Sequence, residues 1–224
     1  MISVVIPTLN AERSLQQALA PLVPAAVEGL VKEVVVADGG STDRTLEMAE
    51  DAGARVVATA KGRGAQLVAG CAAAKGDWLL VLHADTGLAD GWERAVTDHL
   101  ARRPDKAGYF RFALDDTGAR ARLWERGVAL RCRMLSLPYG DQGLLISRRL
   151  YDEVGGYRPL PLMEDVDLVR RLGPSRLAPL AAKAVTSAER YRREGYVGRS
   201  ARNAVLLARY FAGADPERLA RAYA

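Results

Sequence analysis

Apolar and polar positions follow two rhythms along this chain, and the change between them falls near residue 85. Before it, short, mainly apolar runs recur at 2–6 (ISVVI), 32–37 (KEVVVA), 55–59 (RVVAT) and 78–82 (WLLVL). Runs this short, without polar alternation, read as strands covered on both faces, as in a parallel sheet. Between them, 11–23, 43–52 and 64–74 read as helices, the second with Ser41 or Thr42 as its N-cap. Repeated strand–helix–strand units with right-handed crossovers predict an α/β fold built on a mostly parallel sheet.

After Asp85 the rhythm loosens. A helix is predicted over 89–103, an aromatic strand over 108–114 (GYFRFAL) and a long basic helix over 119–137. GLLISRRLYDEVGGY reads as a short strand, a short helix and a glycine stop. PLMEDVDLVRRLGP is a well-marked helix, with Pro161 before it, acids in its first turn, arginines in its last and Gly173-Pro174 ending it. The tail from about 195 to 224 reads as two arginine-rich amphipathic helices. No linker or internal repeat divides the chain, so one domain with two lobes is expected.

Composition narrows the classes. With 32 Lys and Arg against 27 Asp and Glu, the net charge of +5 suits phosphate-bearing ligands and is too small to argue for nucleic acid. Two distant cysteines and two histidines exclude a Cys- or His-rich zinc site. The N-terminus passes straight into a strand with no charged n-region, and no apolar run reaches a membrane span, so a cytoplasmic location is expected. Neither a G-x-x-x-x-G-K-[ST] loop nor a G-x-G-x-x-G turn is present, which argues against P-loop enzymes and dinucleotide dehydrogenases.

The polar signals gather at strand ends. After the first strand come Pro7, Thr8, Asn10 and Glu12; after the second, Asp38, Gly39 and Gly40. The third is followed by KGRGAQ (61–66), with Lys61 and Arg63, and the fourth by His83, Ala84 and Asp85. Each has a plain reading: Asp38-Gly39 as a turn, Lys61 and Arg63 as solvated charges, Glu12 as an acid near a helix N-terminus. In a parallel sheet, however, all these strand ends share one edge, where such sheets bind ligands. Carboxylates, glycine turns and a cationic loop at one crevice suit a nucleoside diphosphate with a divalent metal.

VVIPTLNAE, EVVVADGGSTDRT, KGRGAQL with GDWLLVLHADT, GDQGLLISRRLYDEVGGY and PLMEDVDLVRRL, in this order, resemble a family 2 glycosyltransferase. Within that family they are similar to a small bacterial subgroup with H-A-D and P-L-M-E-D-V motifs. The resemblance implies the GT-A fold, with a nucleotide-binding half over about 1–105, an acceptor-side half over about 106–185 and a helical tail over about 186–224. It implies inverting transfer from a nucleotide sugar, a UDP-sugar by preference, to an acceptor hydroxyl, the acceptor being a saccharide, a lipid-linked group or a small molecule. Asp38 falls where the family reads the nucleobase, Pro7 and Thr8 on the segment lining base and ribose, and Arg63 in the loop approaching the nucleotide. Asp85 matches the last acid of D-x-D, the ligand of Mg²⁺ or Mn²⁺. Glu164 and Asp165 match the acid pair at the acceptor, with Asp165 as base, and Asp141 and Gln142 are candidates to orient the acceptor. His83 departs from the pattern: it replaces the first acid of D-x-D and brings no negative charge to the metal.

Three other readings stay open: a nucleotide-binding protein without turnover, a nucleotidyltransferase, and a membrane-associated scaffold. The last rests on RYRREGYVGRSARNAVLLARY, a basic segment suited to peripheral contact with anionic lipid. A homodimer is equally compatible with the sequence.

Overall fold

The computed structural model describes residues 1–189 and 195–223. In chain order the first half is β1 (Ile2–Thr8), α1 (Leu15–Leu19), α2 (Leu22–Val27), β2 (Val31–Asp38), α3 (Thr45–Asp51), β3 (Arg55–Ala58), α4 (Arg63–Ala73), β4 (Trp78–Val81), β5 (Thr86–Leu88) and α5 (Trp92–Arg102). The second half is β6 (Ala107–Leu114), α6 (Ala119–Leu135), a 3₁₀ turn (Gly140–Gln142), β7 (Leu144–Ser147), α7 (Arg148–Glu153), α8 (Glu164–Leu172), a 3₁₀ turn (Pro174–Arg176), β8 (Leu177–Thr186), α9 (Tyr196–Phe211) and α10 (Pro216–Tyr223).

One eight-stranded sheet runs through both halves in the order β3-β2-β1-β4-β7-β6-β8-β5. The first four strands are parallel to one another, as the buried runs predict. β7 then runs antiparallel to β4 and β6, β6 runs parallel to β8, and β5 closes the edge antiparallel to β8. Alternate residues of each central strand feed opposite faces. Val4, Ile6, Leu80 and Leu82 pack with Leu15, Leu22 and Trp92 on one side. Val5, Leu79 and Val81 pack with Leu67 and Cys71 of α4, Leu150 of α7 and Leu168 of α8 on the other.

The structure corrects the sequence reading in four places. The helix expected over 11–23 is two short helices, α1 and α2, because Pro21 has no N–H to donate back along the helix and its ring crowds the preceding turn. Neither Ser41 nor Thr42 caps α3; Ser41 is drawn to Asp38, and Asp43 accepts from Thr45 N at 3.0 Å instead. β5 is too short, at three residues, to show a period. β8 is hidden by alanines and Pro179, although its burial alternates strictly from Leu177 to Ala184; the proline sits where the β6–β8 register shifts, the place a sheet tolerates it.

Both tail helices are present, but 190–194, the start of the basic segment, lie outside the described residues. Among the described residues no helix is long and apolar enough to cross a membrane.

Candidate active site

The carboxyl ends of β1 and β4, with the start of α4, enclose a cleft lined by Pro7, Thr8, Asn10, Lys61, Arg63, Gln66, His83, Ala84 and Asp85. A second cavity adjoins it, lined by Tyr139, Gly140, Asp141, Met163, Glu164, Asp165, Thr186 and Ser187. Arg63, His83 and Asp85 belong to both.

On the cleft side most polar groups are already committed. Asp38 is 3% exposed. Its Oδ1 accepts from Thr8 Oγ1 at 2.9 Å and Ser41 Oγ at 2.5 Å, and its Oδ2 accepts from Gly40 N and Ser41 N, both at 2.8 Å. Burial opposes its charge, but these hydrogen bonds outweigh burial and hold the carboxyl below its ordinary value. The four bonds fill the acceptor sites of a carboxylate. Asp38 therefore builds the β2 turn that carries Gly39, and neither residue lines the cleft.

Glu12 also lies outside the cleft; its Oε2 accepts from Arg44 N at 3.0 Å, serving the start of α3. Asn10, in the left-handed region at φ 51°, accepts from Thr42 N at 2.9 Å and ties the β1 loop to the β2 loop. The buried Gln66 spans the two parallel strands, donating through Nε2 to Thr8 O and Ala37 O at 2.5 and 3.0 Å. Gln66 lies in the KGRGAQ segment, yet nothing in its spacing marks that role.

The second cavity is less complete. α8 starts from Met163 at φ 66°, a strained conformation for a side chain of this size, costing about 1–2 kcal/mol. Glu164 and Asp165 follow it directly, and both line the cavity. Glu164 is 2% exposed and forms an ion pair with Arg63, whose Nε lies 3.5 Å from its Oε1. Burial raises its pKa to about 7, with Arg63 opposing the shift and Asp165 adding to it.

Asp165 accepts from Gly140 N at 2.7 Å, which pins the α8 start to the 3₁₀ turn. A Cβ at Gly140 would collide with the ring nitrogen of His83, so any larger residue there would require that imidazole to move. Asp141 has a buried Oδ1 with no hydrogen-bond partner, and its pKa is raised to about 6, by burial first and by Asp165 and Asp85 as well. Gln142 faces away from the cavity: its Oε1 accepts from Arg131 at 3.1 Å and Tyr139 N at 3.3 Å, and its Nε2 donates to Phe110 O at 3.1 Å. It braces the turn and does not line the acceptor-side cavity.

Asp85 is held by its backbone, whose carbonyl accepts from Ser187 N at 3.2 Å at the end of β8, leaving its carboxylate on the wall between the two spaces. Thr186 and Ser187 reach the cavity through the unpredicted β8, and Asn203 and Leu206 reach it from α9. Neither contribution had a local signal, since both depend on long-range pairing or packing.

The chain belongs to glycosyl transferase family 2, whose sequence profile matches residues 3–158. Glucosyl-3-phosphoglycerate synthase of Mycobacterium tuberculosis is 38% identical over 93 residues, which span 38% of this chain and 28% of that protein. A PGL/p-HBAD biosynthesis glycosyltransferase of Mycobacterium bovis is 28% identical over 172 residues, 70% of this chain and 63% of that one. In structure, the M. tuberculosis synthase in complex with Mn²⁺, UDP-glucose and phosphoglyceric acid superposes with a TM-score of 0.55 at 26% identity, covering 80% of this chain and 68% of that one. S. aureus TarS 1-349 shares the fold with a TM-score of 0.66 at 19% identity, covering 84% and 60%. The curled α/β sheet flanked by helices is thus the GT-A architecture.

Proposed function

We propose that this protein is an inverting glycosyltransferase that moves a sugar from a UDP-sugar to an acceptor hydroxyl. The observation that carries the reading is the shared wall: Asp85, Arg63 and His83 border both the strand-end cleft and the carboxylate cavity. A bond broken at that wall would have its leaving group on one side and its nucleophile on the other. The synthase of similar structure, crystallised with UDP-glucose and Mn²⁺, supports the choice of donor and ion.

A divalent cation fits these residues in one way. No group of three His, Cys, Asp or Glu side chains could hold it among the described residues; Asp85, on the wall shared with the cleft, would hold it, and the diphosphate would supply further oxygens. The partnerless Asp141 Oδ1 nearby adds negative charge for a cation to offset. When bound there, Mg²⁺ or Mn²⁺ stabilises the charge that develops on the departing diphosphate.

The chain's own groups do the rest. Arg63 offsets phosphate charge, and Arg63 Nη1 lies 3.5 Å from His83 Nε2, which sets the imidazole beside the guanidinium. Asp165, oriented by Gly140 N–H, takes the proton from the acceptor hydroxyl as it attacks the face opposite the leaving group, which inverts the anomeric centre. Glu164 holds Arg63 and so couples the acceptor helix to the phosphate loop. Asp38 contributes to base recognition by shaping the turn, with any direct bond to the base requiring release of Ser41 or Thr8.

The test is a thermal-shift screen of UDP, GDP, CDP and TDP, each with and without Mn²⁺. A ligand at about 100 times its Kd adds about 2.7 kcal/mol, which is readily measured. UDP with Mn²⁺ should give the largest shift; no shift from any nucleotide would overturn the reading. Binding of UDP-sugar without release of UDP on any acceptor would favour the silent nucleotide-binding protein.

A further inference from the structure

The outer face of α6 carries apolar side chains that folding does not use. Its inner face is accounted for: Ala121, Val128 and Cys132 are buried with Tyr109, Phe112 and Leu114 of β6. On the opposite side Leu123, Leu130 and Met134 are 70%, 57% and 72% exposed. With the exposed Gly127 between them they follow a 4-3-4 spacing, which keeps all four within about 60° around the helix. Single exposed leucines need no explanation, but an aligned stripe does.

Charge frames the stripe. Exposed Arg126 and Arg133 border it on one side and Arg120 on the other. The helix holds five arginines and one acid, and that acid, Glu125, is paired with Arg122 at 2.5 Å. The preceding acids are engaged in the loop: Asp115 accepts from Ala188 N at 2.6 Å and Asp116 from Gly118 N at 2.8 Å.

We propose that this face of α6 docks on an anionic lipid surface, with Leu123, Leu130 and Met134 at the headgroup boundary and Arg120, Arg126 and Arg133 against lipid phosphates. A second copy of the chain is the weaker occupant. A twofold dimer through this face would set arginines against arginines with no exposed acid on the helix to receive them. The docked helix adjoins the carboxylate cavity, because Arg131 of α6 stacks 3.5 Å from the centroid of Tyr139, a cavity residue. The inference does not rest on the catalytic reading.

The test is co-sedimentation of the full chain with phosphatidylcholine vesicles, with and without phosphatidylglycerol. The parent should sediment with the anionic vesicles only, and less at high salt. L130D/M134D should lose roughly tenfold or more of that binding, since two apolar side chains leave the boundary. R126E/R133E should lose the preference for phosphatidylglycerol. All four positions are solvent-exposed, so unchanged thermal melting should verify that the variants fold. Failure of the parent to bind either vesicle overturns the proposal. Undiminished binding of L130D/M134D also overturns it and moves the lipid contact elsewhere, to the tail for instance. A parent dimer in sedimentation velocity that becomes monomeric in L130D/M134D overturns it in favour of a second copy.

Discussion

The two spaces that meet at Asp85 differ in how far the chain completes them by itself. Behind the strand-end cleft, Asp38 has all four acceptor sites filled and Glu12 is tied to the start of α3; in its wall, Gln66 bridges two strands and Asn10 is tied to the loop before α3. In the adjoining cavity, Asp141 keeps a buried oxygen without a donor, and Glu164 meets Arg63 only at long range. A buried polar group without a partner costs about 1–3 kcal/mol. The first space is therefore preorganised, while the second is left for a ligand's hydrogen-bond donors, or a cation, to complete. The contrast follows from placement: the cleft is made by consecutive parallel strands, the cavity by segments brought together from α8, β8, α9 and the 3₁₀ turn.

The largest effect that could break this comparison is at Asp165. If the cavity is the side of proton transfer, Asp165→Asn should lower turnover by about 10²–10⁴-fold. Affinity for the UDP-sugar should stay near parental, because the carboxylate faces away from the donor cleft. Transfer rate and donor affinity for Asp165→Asn and Glu164→Gln, measured together, decide it. Near-parental turnover in Asp165→Asn with the loss confined to Glu164→Gln would give the base to Glu164.

On the cleft side, Asp38→Ala should cost about 2–4 kcal/mol of stability, because two backbone N–H groups and two hydroxyls lose a charged acceptor at once. Urea unfolding reads this directly. A loss under about 0.5 kcal/mol, typical of a surface change, would show that the turn does not depend on Asp38. Asp85→Asn should leave stability alone and remove the Mn²⁺-dependent part of the UDP thermal shift, at most about 2.7 kcal/mol at 100 times Kd. A shift with Mn²⁺ equal to the parent's would take the cation away from Asp85.

The parallel half was legible because each of its strands is a local apolar run and each strand end a local polar cluster. His83, Asp85 and Arg63 could be gathered at one edge from topology alone. Asp38 and Glu12 could be placed near that edge, but not the direction in which their carboxylates point, because Ser41 and Arg44 compete for them. The cavity was legible in its α8 motif and in Asp141. Thr186 and Ser187 arrive on a strand whose alanines carry little β preference, and Asn203 arrives on a helix that sequence presents as a basic surface element. Gln142 shows the reverse error: a polar residue beside a promising aspartate turns inward, where Arg131, Tyr139 N and Phe110 O satisfy it.

The smallest effect sharpens the comparison through pH. Glu164 and Asp141 have pKa values raised to about 7 and about 6, from ordinary values of 4.5 and 3.8. A carboxyl raised in this way binds its proton more tightly in the folded chain than in the unfolded one, so its neutral form favours folding. The contribution is fully present below the ordinary value and is lost as pH rises through the raised one. Stability should accordingly fall as pH rises between about pH 4 and pH 7. Asp38 titrates in the opposite sense and below this window, so it does not mask the slope. Urea unfolding at pH 5 and pH 8 should show the parent less stable at pH 8, with Glu164→Gln flattening the upper part of the decline and Asp141→Asn the lower part. Because the charge of Asp85 helps raise Asp141, Mn²⁺ with UDP should reduce the decline in the parent and not in Asp85→Asn. A decline of equal size in the parent and both cavity variants would place its source outside the cavity, and the contrast between a completed cleft and an incomplete cavity would fail.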